Sequence, residues 1–273
     1  MSIHSFLKAE KGDPDWQYSP DRYFDKEFKI IDASLIELPE DVSESLVLRQ
    51  TPTERQLLAK HLKINVKESS TLELTVINDA DPKLEQIFMY DINLEENALL
   101  TFMIFVNGGK LNKHIIQVTP ALNASFNLVG LIKNGHAGDG EIITKVVQAE
   151  PNSENNQFVA CISGKGSQTV YQSMTILDDA CMDSDAHIEG IGLVADPSGR
   201  CFIKPDIHTD SSDVDTSYTS QVRKLDLEQL YYFQTLGIEE TEAVSLITNS
   251  FIEQAINFVE SPDIQEEIRQ IYM

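Results

Sequence analysis

The stretch Leu62-Lys63-Ile64-Asn65-Val66-Lys67-Glu68-Ser69-Ser70-Thr71-Leu72-Glu73-Leu74-Thr75-Val76-Ile77 holds two short apolar runs separated by a polar turn. In the first run Leu62, Ile64 and Val66 alternate with Lys63 and Asn65. That period of two puts the apolar side chains on one face of a strand. Similar runs follow downstream at 86–90, 99–106, 114–118, 124–130, 141–147, 157–162, 169–177 and 188–194. No helical pattern of ten or more residues interrupts them, by the ~10-residue minimum for a helix signal. Alternating βαβ units are thereby excluded, and with them doubly wound and barrel α/β folds.

A small polar or glycine-bearing group repeatedly precedes an apolar strand. Examples are Glu68-Ser69-Ser70-Thr71-Leu72, Glu95-Glu96-Asn97-Ala98-Leu99, Gly138-Asp139-Gly140-Glu141-Ile142 and Gly164-Lys165-Gly166-Ser167. Intervals of roughly 20 to 30 residues between such groups suit stacked coils. Evenly spaced strands also suit a sandwich or a barrel. On pattern alone, both architectures remain open.

The flanks differ from this β body. Residues 1–59 read as an irregular arm with one short strand, marked by the turn clusters Lys11-Gly12-Asp13-Pro14-Asp15 and Tyr18-Ser19-Pro20-Asp21 and a helical turn near Pro52-Thr53-Glu54-Arg55. Residues 60–222 form the β core, and 223–273 a small helical domain. There Asp226 is the expected N-cap, with Gln229 three residues on and Leu225 and Leu230 placed as a hydrophobic staple. Gly237 sits where a left-handed residue closes a helix. A second helix is expected from about 240 to 259, with an apolar stripe of Val244, Ile247, Phe251, Ala255 and Val259. A third begins at Ser261-Pro262 and carries Ile264, Ile268 and Ile271 on one face.

Composition narrows the function. The chain has 273 residues, 41% of them hydrophobic, and a net charge of −23. Its mean hydropathy of −0.21 is that of an ordinary protein with a core. So acidic a chain repels phosphate, which excludes nucleic acid and anionic membrane surfaces as partners. Three cysteines make no disulfide framework. Met1-Ser2-Ile3-His4-Ser5-Phe6-Leu7-Lys8 lacks the apolar run of a signal peptide, so a cytoplasmic location is expected.

Two separated segments carry a resemblance. Lys204-Pro205-Asp206-Ile207 and, further on, Asp226-Leu227-Glu228-Gln229-Leu230-Tyr231-Tyr232-Phe233-Gln234-Thr235-Leu236-Gly237-Ile238 resemble the C-terminal signature of the SufB/SufD family of iron–sulfur cluster assembly scaffolds. The resemblance extends more loosely back to about residue 60. It implies a right-handed parallel β-helix with a helical tail, closer to SufD than to SufB. It also implies a non-enzymatic scaffold whose terminal helices dock a SufC-like ABC-type ATPase. Leu230, Tyr231, Tyr232, Phe233, Gly237, Ile238 and Phe251 are then the partner-binding residues. The β-helix would pair with a SufB-like subunit or with a second copy. At the family's cluster-site positions this chain carries Gly190, Thr216 and Tyr218. None of them supplies a thiolate or an imidazole, so no cofactor is expected to bind tightly, and a cluster only within a complex.

Other constellations favour structural roles. Cys161, Cys181 and Cys201 recur at even spacing; core packing is the favoured reading and a thiolate ladder the alternative. His114, His136, His187 and His208 pair with no nucleophile at a readable spacing. Gly164-Lys165-Gly166-Ser167 lacks phosphate-loop spacing, and Asp178, Asp179, Asp183 and Asp185 read as a solvated loop and not as a calcium or other metal site. A β-helix enzyme acting on polysaccharide is the rival reading, because acidic residues are abundant; it leaves the terminal helical signature unexplained.

Overall fold

The computed structural model describes residue 17 and residues 30–50 and 58–273. The expected turns at 11–15, 18–21 and 52–55 lie outside the described residues. In chain order the strands are β1 (Ile30–Leu38), β2 (Ser43–Gln50), β3 (Leu58–Val66), β4 (Thr71–Ala80), β5 (Glu85–Leu94), β6 (Leu99–Gly108) and β7 (Leu111–Pro120). They continue with β8 (Ser125–His136), β9 (Asp139–Gln148), β10 (Glu154–Lys165), β11 (Gln168–Leu177), β12 (Ser184–Val194), β13 (Arg200–Thr209) and β14 (Val214–Lys224). Three helices follow: α1 (Leu227–Thr235), α2 (Glu240–Ile256) and α3 (Pro262–Tyr272).

Odd strands build one seven-stranded sheet in the order β1-β3-β5-β7-β9-β11-β13, and even strands build the other. Every pairing is parallel, so each odd–even pair is one coil of a two-sheet β-solenoid. This settles the choice between solenoid and sandwich. Residues 30–50, assigned from sequence to an irregular arm, are in fact the first coil. Their alternation was masked by Pro39, Glu40 and Asp41 in a turn and by the largely exposed residues of β2.

A ladder of turns sets the coil. Asp41, Ser69, Asn97, Asn123, Asn152 and Asp183 each have φ between 53° and 58° at the turn from an odd to an even strand. Asn and Asp tolerate this left-handed conformation best among non-glycine residues. In the first five the N–H donates to the carbonyl of the residue before its counterpart on the next coil, as from Ser69 to Glu96 at 2.9 Å and from Asn152 to Met182 at 2.9 Å; Asp183 N–H donates to the Asp213 carbonyl at 2.9 Å. Asn123 Nδ2 also donates to Asn97 Oδ1 at 3.0 Å. The residue after each turn is small and buried in five cases: Ser70, Ala98, Ala124, Ser153 and Ser184. It fills the corner where the two sheets converge.

The interior is apolar at one level and hydrogen-bonded at another. Leu74, Ile64, Phe102, Phe126, Ile116 and Val159 are among its fully buried residues. Inward polar side chains satisfy one another: Asn112 Nδ2 donates to Asn78 Oδ1 at 2.9 Å, and Tyr171 Oη to Gln157 Oε1 at 2.9 Å. Thr144 Oγ1 donates to the same Gln157 oxygen at 2.7 Å.

α2 and α3 lie along the outer face of the even-strand sheet, not over the solenoid's end. Ile252, Ala255, Ile256, Val259, Ile268 and Tyr272 close over Ile77, Met103, Phe105, Leu131, Ile162 and Leu193. The buried face of α2 is therefore Ala243, Thr248, Ile252, Ala255 and Ile256. It is turned from the stripe expected from sequence, in which Val244, Ile247 and Phe251 end up half-buried. Among the described residues no helix is long and apolar enough to cross a membrane.

Candidate functional site: terminal helix and last coil

Asp226 turns the chain from β14 into α1. Its carboxylate accepts the Glu228 N–H at 2.9 Å, which satisfies one of the free donors of the first turn. At the other end Gly237 adopts φ of 82°. Its N–H donates to the Gln234 carbonyl at 3.0 Å, and the Ile238 N–H reaches back to the Phe233 carbonyl at 3.1 Å. This pair of bonds is a Schellman closure, and a left-handed residue is required at its centre.

Between the two caps Leu230 is buried, while Phe233 and Ile238 are half-buried. Tyr231, Tyr232 and Leu236 are 69%, 61% and 59% exposed. α1 rests on α2, and these three side chains stay open to solvent. Exposed apolar surface of this kind marks an interaction site more often than an incidental residue does. Leu230, Tyr231, Tyr232 and Phe233 thus share one short helix, and Gly237 and Ile238 form the turn that closes it. Phe251 does not join them: it is half-buried on α2, packed on the cluster that holds Ile191 and Leu193.

The last coil forms a second surface. Among the described strands β14 bonds to β12 alone, and almost every residue on it is exposed. By register Thr216, Tyr218, Ser220 and Val222 continue the inward columns of Ala186, Ile188, Gly190 and Gly192. Among the described residues no further coil covers them, and Tyr218 is 64% and Val222 45% exposed. Pro205 stands within β13, the edge strand of the other sheet, where proline's missing N–H is tolerated.

The three family cluster-site positions lie on the inward face of the last two even strands, Thr216 and Tyr218 on the exposed β14 and Gly190 on β12 opposite Ser220. Gly190 is covered where the other two are not. A Cβ there would stand 2.4 Å from Ile203 Cγ2 and 3.0 Å from Tyr171 Cδ1. Packing dictates the glycine, and a thiol at this position would enter the core.

Sequence reasoning missed a cavity of about 490 Å³ on the outer face of the even sheet, beside Phe258. Its floor is a polar ladder in which Asn156 Nδ2 donates to Asn127 Oδ1 at 3.1 Å and His187 Nδ1 lies 2.8 Å from Ser217 Oγ. The only signal was recurrence at 29 and 30 residues, legible once the coil length is known.

The family model described as "SUF system FeS cluster assembly, SufBD core domain" matches residues 24–251. This chain belongs to the SufBD family. The SufBD match begins well before residue 60, in keeping with β1 and β2 as a first coil. A SufBD family protein of iron–sulfur cluster assembly from Archaeoglobus fulgidus is 22% identical over 86% of this chain and 64% of its own length. Another from Synechocystis is 22% identical over 62% of this chain and 38% of its own length. The iron–sulfur cluster assembly protein SufB of Bacillus subtilis is 22% identical over 74% of this chain and 43% of its own length. The chain thus spans 38% to 64% of these SufBD relatives.

Proposed function

We propose that the chain is a non-enzymatic, SufD-like scaffold subunit of iron–sulfur cluster assembly, working in the cytoplasm. In this reading α1 docks an ABC-type ATPase and the last coil pairs with a second scaffold subunit. The observation that carries it is the joint exposure of Tyr231, Tyr232 and Leu236 on a helix closed at both ends. Such a helix presents aromatic area at little entropic cost, and aromatic anchors dominate binding energy. The exposed inner face of β14, with Tyr218 and Val222, supports the pairing half. An unpaired edge and an uncapped end are both surfaces a solenoid must cover.

Gly190, Thr216 and Tyr218 supply no soft ligand, so the subunit frames a cluster built with a partner's groups. The family match does not favour the polysaccharide-acting alternative. The test is co-purification of the full chain with its ATPase, comparing wild type with Tyr231→Ala/Tyr232→Ala. Both side chains are exposed, so the variant folds; affinity is expected to fall at least ~10-fold, as for paired aromatic anchors. Unchanged affinity removes α1 as the docking element.

A further inference from the structure

Cys161 lies on β10 with its side chain buried in the interior, in the cluster that includes Val159, Tyr171 and Ile188. Cys201 lies on β13 in the opposite sheet, beside Thr169 of β11. Close to this corner, Cα atoms of β10 and β13 come within 8 Å. Gly192 is the neighbour of Cys161 on β12, and a Cβ there would stand 2.6 Å from Cys201 Sγ. The sulfur of Cys201 thus fills the space a side chain at 192 would take, and reaches across to the column of Cys161. The two thiols stand close enough to shift each other's proton affinity.

Two hydroxyls lie beside Cys201: those of Ser163 and Thr169 are 2.6 Å apart, and Ser163 Oγ donates to the Arg200 carbonyl at 2.6 Å. The Cys161 thiol, and then these hydroxyls, hold Cys201 below the usual thiol range, whereas burial pushes the Cys161 thiol well above it. Cys201 is half-buried in the last described coil and Cys161 is fully buried. An accessible thiolate backed by a second thiol in contact is the arrangement that oxidises selectively.

We propose that Cys161 and Cys201 form a modification site, closing to an interior disulfide that joins the two sheets when a peroxide reaches the open end. The Cys201 thiolate attacks one oxygen of hydrogen peroxide; the O–O bond breaks and hydroxide leaves, taking up a proton as water. Cys201 is then a sulfenic acid. The Cys161 sulfur attacks it, the S–S bond forms, the S–O bond breaks, and the hydroxide departs with the Cys161 proton as a second water. Two thiols lose two electrons and the peroxide gains them.

Cys181 is the internal control. It is buried against Leu177 and Ala186, with Ser153 Oγ 3.8 Å from its sulfur and no second thiol in contact. The reduced full chain is treated with a small excess of hydrogen peroxide, then denatured, alkylated and mapped by proteolysis and mass spectrometry. Two of the three cysteines are expected to resist alkylation, in a cross-linked pair of peptides bearing Cys161 and Cys201, with Cys181 still alkylated. Cys181→Ser keeps the cross-link. Cys161→Ser, checked for native circular dichroism, leaves Cys201 as a sulfenic acid trapped by a dione probe. Full alkylation of Cys161 and Cys201 under conditions that oxidise Cys181, or a disulfide joining two chains through Cys201, overturns the proposal.

Discussion

His114 shows how much of a residue's chemistry its neighbours decide. In sequence it is one of several scattered histidines; in the solenoid it is fully buried and stacks on Phe88 with ring centroids 4.8 Å apart. Nδ1 is 3.2 Å from Tyr90 Oη and Nε2 is 2.9 Å from Asn112 Oδ1. Asn112 Oδ1 only accepts, so Nε2–H donates there and Nδ1 accepts from the tyrosine; the ring is neutral. Burial lowers its pKa to about 3. A group lowered on folding binds its proton more tightly in the unfolded chain. Its contribution is therefore intact above the unfolded value, near ~6.5, and is lost as pH falls toward about 3. Across that window the slope of stability against pH is expected to be shallower in His114→Gln than in wild type, by up to ~1.4 kcal/mol per pH unit. Urea unfolding at several pH values measures it; parallel slopes would show that His114 does not titrate this way. The cysteines carry a similar lesson. Their even spacing suggested a column, but coil partners lie 26 to 32 residues apart, so Cys181 falls in a turn and only Cys161 and Cys201 meet.

At the scale of elements, the turns and caps are the most legible parts. Asp226 and Gly237 occupy the positions their chemistry demands, because both answer to the local backbone of α1. The odd-to-even turns are legible too, once Asn, Asp or Ser before a small residue is read as a left-handed position. The groups at 68–72 and 95–99 belong to this corner, whereas those at 138–142 and 164–167 belong to the other. Mixing the two corners blurred the repeat. Asn97→Val puts a β-branched residue at φ of 58° and removes the partner of Asn123 Nδ2. It is expected to destabilise by about 1–2 kcal/mol, the cost of a left-handed residue with a branched Cβ. Asn97→Gly should lose less than Asn97→Val; denaturant midpoints in the reverse order would refute the ladder as a stabilising device.

At the scale of the molecule, the helical tail closes one side of the solenoid. Tyr272 is fully buried with its ring 6.3 Å from that of Phe105, and the Lys133 ammonium donates to its carbonyl at the end of α3. Arg49 of β2 and Glu267 of α3 form a two-bond ion pair at 2.7 Å, which ties the first coil to the last helix. Arg269 bridges to Glu253 at 2.7 Å and holds α3 on α2. Deleting residues 225–273 uncovers Ile77, Met103, Phe105, Leu131 and Leu193 on one sheet face. A chain cut after Lys224 is expected to self-associate, detected as light scattering and dye binding, because so large an apolar patch is rarely left exposed. A monomeric, well-folded truncation would mean the tail is an independent appendage.

Alternation within strands, turn chemistry and helix caps were determined by the amino-acid sequence itself, because each depends on residues within a few positions of one another. Two features were decided only by tertiary structure. One is the stacking register, which rests on backbone bonds between residues nearly thirty positions apart. The other is the buried face of α2, where Ile252 and Ile256 face inward more fully than Phe251 because the sheet beneath presents Leu131, Ile162 and Leu193. Contacts of that kind reward burial against a distant segment, and no local pattern encodes where that segment will lie.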